Sequence, residues 1–102
     1  MMIARIWHGK TKASQAEDYG EFLIARAIPD YQSIAGNLGV HILRHLAGNE
    51  AHFITLTFWE NVEAIKAFAG EDFEKAKYYP EDKNFLLEFE PKVAHYEVVG
   101  KA

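Results

Sequence analysis

The chain has 102 residues, a formal net charge of −4, 49% hydrophobic and 25% charged residues, and no cysteine. This is the length and composition of one globular domain. The negative balance argues against a nucleic-acid partner, and the missing cysteines exclude disulfides, thiolate metal sites and a cysteine nucleophile.

No apolar run reaches the about 18 residues of a membrane-spanning helix, so no membrane partner is expected. Absent cysteine also suits a reducing, cytoplasmic setting. The opening residues Met1-Met2-Ile3-Ala4-Arg5 read as the start of a strand, not as a signal peptide.

Met2 to His8 alternates loosely and forms the first predicted strand, ended by Gly9. Ser14-Gln15-Ala16-Glu17 fits a capping box, and Ala16, Tyr19, Leu23 and Ala27 then recur at helical spacing, with Phe22 beside the stripe. Pro29 is expected to end or kink this helix, with a short helical turn after it. A turn at Gly36-Asn37-Leu38-Gly39 leads into a second strand over Val40 to Leu46.

Gly48-Asn49-Glu50-Ala51 connects it as a hairpin to a third strand, His52 to Trp59. Asn61 is a plausible N-cap for a second helix whose apolar stripe is Val62, Ile65 and Phe68 or Ala69. Gly70 interrupts that helix, and Phe73 and Ala76 are expected to continue it as a second piece. Tyr78 to Asn84 reads as a polar turn or loop, residues 85–89 are ambiguous, and Val93 to Val99 closes as a fourth strand.

The order is βαββαβ, an α+β, ferredoxin-like arrangement. It implies a four-stranded antiparallel sheet with strands 1 and 3 central and two helices on one face. The third strand is apolar on both sides: Ile54, Leu56 and Phe58 share one face, and Phe53, Thr55, Thr57 and Trp59 the other. Two helices cover only one of them. The open face would be a larger apolar patch than a monomer usually exposes, so a homodimer is expected; a C-terminal segment folded over the face is the alternative.

The βαββαβ order combines with the junction Thr57-Phe58-Trp59-Glu60-Asn61 and its following Val62-Glu63-Ala64-Ile65. To these are added Tyr78-Tyr79 and the closing Val93-Ala94-His95-Tyr96-Glu97-Val98. Over nearly its whole length the chain thereby resembles the antibiotic biosynthesis monooxygenase-like family of the dimeric α+β barrel superfamily. The resemblance implies a homodimer whose sheets form a barrel, and a small-molecule pocket between the sheet and helices of each subunit. It further implies oxidation of an aromatic polyol or quinol without a cofactor: the substrate loses a proton and its electron-rich anion meets O₂ without metal or flavin. A haem-degrading branch of the same fold uses a strand-1 Asn, a helix-2 Trp and a His near that helix's end. This chain departs from it, having no Asn in strand 1, Phe68 near the helix position, and Tyr78-Tyr79 where the His would stand.

His8, at the end of strand 1, is a candidate base or oxyanion binder, against the alternative of an edge residue. Trp7 and His8 point to opposite faces, so only one can line a pocket. Tyr78 and Tyr79 each offer an apolar ring and a hydroxyl, suited to an oxygenated aromatic ligand, and consecutive residues place at most one of them in the pocket. Trp59, Phe68 and Phe73 are candidate pocket walls or plain core. His41 and His45 share a strand face but lie roughly 13 Å apart, so no metal site is expected. Arg5, on a central strand, is expected to pair with Glu97 or to bind a substrate anion. Glu88, Glu90 and the Glu81-Asp82 pair read as solvated loop charge. A monooxygenase-like protein acting on a small aromatic or polyketide-like molecule is the leading expectation. A non-catalytic dimeric binding or stress-related module is the alternative, and a haem-binding relative a further one.

Overall fold

A computed structural model describes all of residues 1–102. Its strands are β1 (Ile3–Lys12), β2 (Asn37–Ala47), β3 (Glu50–Trp59) and β4 (Ala94–Glu97). They form one antiparallel sheet in the order β2-β3-β1-β4, with β1 and β3 central. Between β1 and β2 lie α1 (Ala16–Phe22), a π-helical turn (Leu23–Ala27) and α2 (Ile28–Gln32). Following β3 comes α3 (Val62–Ala69), and a 3₁₀ turn (Pro80–Asn84) precedes β4. This is the expected ferredoxin-like α+β architecture.

The alternation of the central strands decides what is buried. On β3, Ala51, Phe53, Thr55, Thr57 and Trp59 are buried, while His52, Ile54, Leu56 and Phe58 are half-exposed. On β1 the buried set is Arg5, Trp7, Gly9 and Thr11, together with Ala4. Trp7, Phe53 and Trp59 join Tyr19, Leu23, Ala27 and Tyr31 of the first helical segment and Ala64, Ile65 and Phe68 of α3 in a single core. Both helical layers therefore cover the same face, and Trp7 lies under them while His8 points away.

Several local expectations are corrected. β1 does not end at Gly9 but runs to Lys12. A Cβ at Gly9 would stand 2.4 Å from the Trp7 ring, so this glycine is a packing position that lets the indole lie flat on the strand. The Ser14 capping box does not form: residues 13–15 are a 3₁₀ turn, and no side chain caps α1. Pro29 does not end the helix. The π turn lets the Ile28 N–H reach back to Leu23 O, and Pro29 follows at the start of α2, where a missing N–H costs little.

The second strand starts earlier than expected, at Asn37, through a bulge between Asn37 and Gly39. Gly48, at φ +61, opens a two-residue hairpin turn that Asn49 completes without a positive φ, the II′ pattern. Asn61 does cap α3, its side chain accepting from Ala64 N at 2.9 Å. No second helical piece follows Gly70; residues 70–93 run as turns, one 3₁₀ segment and a Lys75–Lys92 bridge. The strand near the C-terminus is short, Ala94–Glu97.

The uncovered face carries Ile6, Ile54, Leu56 and Phe58, half-exposed, with Leu43 and Tyr96 more open beside them. The chain's C-terminal residues do not seal it. Met2, Leu38, Phe58 and Val98, with His41 and Lys101, line an open hollow of about 540 Å³ there.

Candidate functional site

The space between the first helical segment and the sheet is lined by Trp7, Tyr19, Leu23, Ala27, Tyr31, Thr55, Lys77, Tyr79 and Asp82. Tyr19, Leu23, Ala27 and Tyr31 recur every fourth residue and so form one helical stripe facing the sheet. Trp7 and Thr55 face them from β1 and β3, in direct register. Residues 77–82 close the third side. The cleft is shut in this structure, with a free volume of about 10 Å³, room for one water.

Its polar groups are ordered. Tyr19 Oη donates to Asp82 Oδ1 at 2.8 Å, and Tyr79 N donates to Asp82 Oδ2 at 2.6 Å. The Tyr79 hydroxyl donates to Asp30 Oδ2 at 2.6 Å, and Lys77 Nζ donates to the same oxygen at 3.0 Å. Tyr31 Oη and Thr55 Oγ1 are hydrogen-bonded at 3.1 Å. The Lys77 ammonium lies 4.2 Å from the Phe68 ring centroid, and the Arg26 guanidinium 4.5 Å from that of Tyr79. Trp7 Nε1 is buried without a hydrogen bond of ordinary geometry; it turns to the Tyr78 hydroxyl, on which it acts to lower the phenol's pKa against the larger effect of burial.

The environment separates the two acids. Burial pushes the Asp82 carboxyl above its ordinary pKa, and hydrogen bonds from Tyr79 N and Tyr19 do not offset it. Burial opposes ionisation of Asp30 as well, but the Tyr79 and Lys77 hydrogen bonds prevail and hold it below the usual range. Burial raises the Tyr19 and Tyr79 phenols, and the carboxylates they donate to add to it.

Of the residues singled out in the sequence, Trp7 and Tyr79 line the cleft. Tyr78 points elsewhere: its hydroxyl donates to Glu90 O at 2.6 Å and its ring packs edge-on against Trp7 and Phe89. Trp59 and Phe68 sit in the core beside the cleft, Phe68 stacked on Tyr31 at 4.4 Å and Trp59 donating its indole N–H to Thr57 Oγ1 at 2.8 Å. Phe73 packs edge-on against His95, off the cleft. His8 lies on the opposite face of the sheet, bonded to Glu90 and to His52. No three His, Asp or Glu side chains converge to hold a metal ion.

Asp82 reads in the sequence as solvated loop charge, yet it is 2% exposed. Its burial has no signal in the sequence, because a 3₁₀ turn, not a helical period, carries it inward. Tyr31 did have one: it continues the every-fourth-residue stripe from Tyr19 past Pro29. Arg5 does not pair with Glu97. Register places Glu97 opposite Ile3, two residues along. Arg5 Nη1 instead donates to Phe73 O at 2.5 Å and to His95 Nε2 at 3.2 Å, and Nη2 to Lys75 O at 3.3 Å, pinning residues 73–75 to the sheet.

Arg5 can only donate, so His95 Nε2 must be unprotonated to accept. Burial, and then the Arg5 charge, push the His95 pKa below 6.5. A depressed histidine contributes stability that is complete above its unfolded value and lost as pH falls below about 6.5 through the folded value. In denaturant titrations between pH 7.5 and 5, the wild type should lose stability relative to His95→Gln, whose amide oxygen still accepts from Arg5. Parallel pH profiles would remove this role for His95.

No protein-family model matches the chain, and no curated protein does. Solved structures do match, over nearly the full length of both partners. A haem-degrading protein of Mycobacterium tuberculosis superposes with a TM-score of 0.67 at 22% identity, covering 100% of this chain and 99% of the other. A candidate antibiotic biosynthesis monooxygenase of Nitrosomonas europaea gives a TM-score of 0.69 at 17% identity, covering 96% and 90%. The chain has the antibiotic biosynthesis monooxygenase-like fold. A variant of MhuD with two manganese protoporphyrin IX molecules per active site is also similar, with a TM-score of 0.63 at 22% identity, covering 98% and 97%. At these identities the likeness establishes the fold that the sequence resemblance implied, and not an activity.

Proposed function

We propose that the helix–sheet cleft binds a small oxygenated aromatic molecule, a quinol or polyketide-like phenol, and that the protein oxidises it with O₂ without a cofactor. The cleft lining carries this reading, because Trp7, Tyr19, Tyr31 and Tyr79 wall it with aromatic rings around the buried Asp82 carboxyl. Tyr19, Tyr31 and Tyr79 supply the edges and faces that hold an aromatic ring and exclude water. Asp82, in its carboxylate form and made a stronger base by burial, takes the substrate's proton; the resulting carbanion-like anion donates electrons to O₂, one oxygen atom entering the product and the other leaving as water.

Binding requires the cleft to open, since its free volume is that of one water. Residues 77–82 are the movable wall. They carry no helix or strand longer than the 3₁₀ turn and are held to the first helical segment by Tyr79–Asp30, Lys77–Asp30 and Asp82–Tyr19. A haem ligand is less well served, because none of the five histidines lines the cleft.

O₂ uptake with a panel of quinols tests the proposal. Turnover should appear for at least one, and Asp82→Asn, which keeps the shape and removes the base, should lower kcat/KM by about 10²-fold. Absence of both turnover and binding across the panel would sink the enzyme reading in favour of a non-catalytic module; a Soret band on haemin titration would favour the haem alternative.

The half-exposed apolar row on the open face supports pairing with a second copy, sheet to sheet. Sedimentation at micromolar concentration should give about twice the 11.6 kDa chain mass. A single species at the chain mass would refute the dimer.

A further inference from the structure

Two buried hydroxyls meet on the cleft wall and share a single hydrogen bond. Tyr31 Oη, from α2, and Thr55 Oγ1, from β3, stand 3.1 Å apart, and both residues line the cleft. Tyr31 is 6% exposed and Thr55 2%. Each hydroxyl carries one proton, so the pair holds two donors. One is used between them, whichever way the bond runs. The other has no acceptor in the chain.

The neighbouring hydroxyls are different. Tyr19 donates to Asp82, Tyr79 to Asp30 and Tyr78 to the Glu90 carbonyl. Of the other buried threonines, Thr57 donates to Arg5 O and Thr11 to Lys12 O. Tyr31 and Thr55 are thus the hydroxyls of the cleft with a proton uncommitted. A phenol is a stronger acid than an alcohol. The favoured arrangement therefore has Thr55 donating to Tyr31, which polarises the Tyr31 hydroxyl and leaves its proton for a ligand.

The charges around the pair act on the same spot. Arg5, beside Trp7 on the covered face of β1, is 2% exposed and is bonded to two carbonyls and His95 but to no carboxylate. Burial opposes negative charge on Tyr31, while the Thr55 bond and the Arg5 cation favour it. The Asp30 and Asp82 carboxylates add to burial. Protonation of Asp82 removes one of them.

We infer, on the strength of the cleft reading, that Tyr31 and Thr55 form the oxyanion site of the reaction. Asp82 takes the proton of the substrate's ring hydroxyl. The oxygen left behind keeps the electron pair of the broken O–H bond and accepts from the Tyr31 hydroxyl. Base and donor stand on different walls, Asp82 in the 3₁₀ turn and Tyr31–Thr55 between helix and sheet, so the ring is held between them. Negative charge leaves Asp82 as it appears opposite Tyr31, where a donor is already in place.

The probe is 4-nitrophenol, whose phenolate absorbs in the visible, titrated with pH while bound to the full chain. Its pKa should fall on binding to the wild type. In Tyr31→Phe/Thr55→Val it should stand about 1–2 pH units above the wild-type value. Each single variant still has one hydroxyl to donate, so each should give a smaller rise, Thr55→Val the smaller of the two. Replacing both partners leaves neither hydroxyl buried alone, and the double variant should fold. With a quinol that turns over, it should lower kcat by about 10²–10³-fold and change KM far less. A bound phenol whose pKa is at or above its value in water overturns the oxyanion site and leaves the cleft reading standing. So does a pKa equal in the wild type and in a double variant shown folded by circular dichroism. A wild type that binds neither 4-nitrophenol nor any quinol overturns both.

Discussion

The period-two alternation of the β1–β3 pair governs everything else in this molecule. Ten consecutive pairs join the two strands without a register shift, from Ile3–Trp59 to Lys12–Glu50. A slip of one residue would exchange the faces, sending Trp7 to the open side and His8 under the helices. Register is held by what lies on the covered side. Phe53 and Trp59 are 1% and 0% exposed, and burying such side chains contributes about 1.5–3 kcal/mol each. The alternation thus divides the chain chemically. Aromatic and phenolic groups face the helices, and the imidazole–carboxylate cluster faces outward.

Arg5 is the exception that the covered face tolerates. A buried guanidinium is costly, and burial lowers its pKa. The cost is offset by the Phe73 and Lys75 carbonyls and by His95, while its Nε remains unpaired. What the arrangement secures is position. The long connection from α3 to β4 has almost no regular structure, and Arg5 fixes its first part to the sheet. The next part, residues 77–82, is held by side-chain bonds to Asp30 and Tyr19. One stretch of the connection is therefore anchored through the sheet, and its neighbour through side-chain hydrogen bonds, which also include Lys77 to Phe68 O and Tyr78 to Glu90 O.

Much of this was legible in the sequence. Strand alternation, the hairpin at Gly48-Asn49, the Asn61 cap and the βαββαβ order are local signals, and the sheet followed from them. The facing of Trp7 against His8 was not, because alternation alone gives two opposite choices and only the partners of β1 decide between them. Gly9 looked like a terminator because its role, accommodating the Trp7 ring, is a contact and not a propensity. Pro29 looked like a helix end because a π turn leaves no compositional mark. Asp82, His52 and Glu90 gained their neighbours across long sequence separations, 63 residues for Tyr19–Asp82 and 82 for His8–Glu90, where pattern reading has no reach.

The central claim is that an aromatic ligand enters the helix–sheet cleft against the Trp7 ring that lines it. The two tryptophans make this separable, since Trp59 lies outside the cleft lining, its N–H bonded to Thr57. In a ¹H–¹⁵N spectrum with selectively labelled indoles, titration with a quinol substrate should shift the Trp7 resonance as the ligand ring packs against the indole, leaving Trp59 nearly unmoved. A Trp7 resonance that stays in place while the ligand binds would contradict the account.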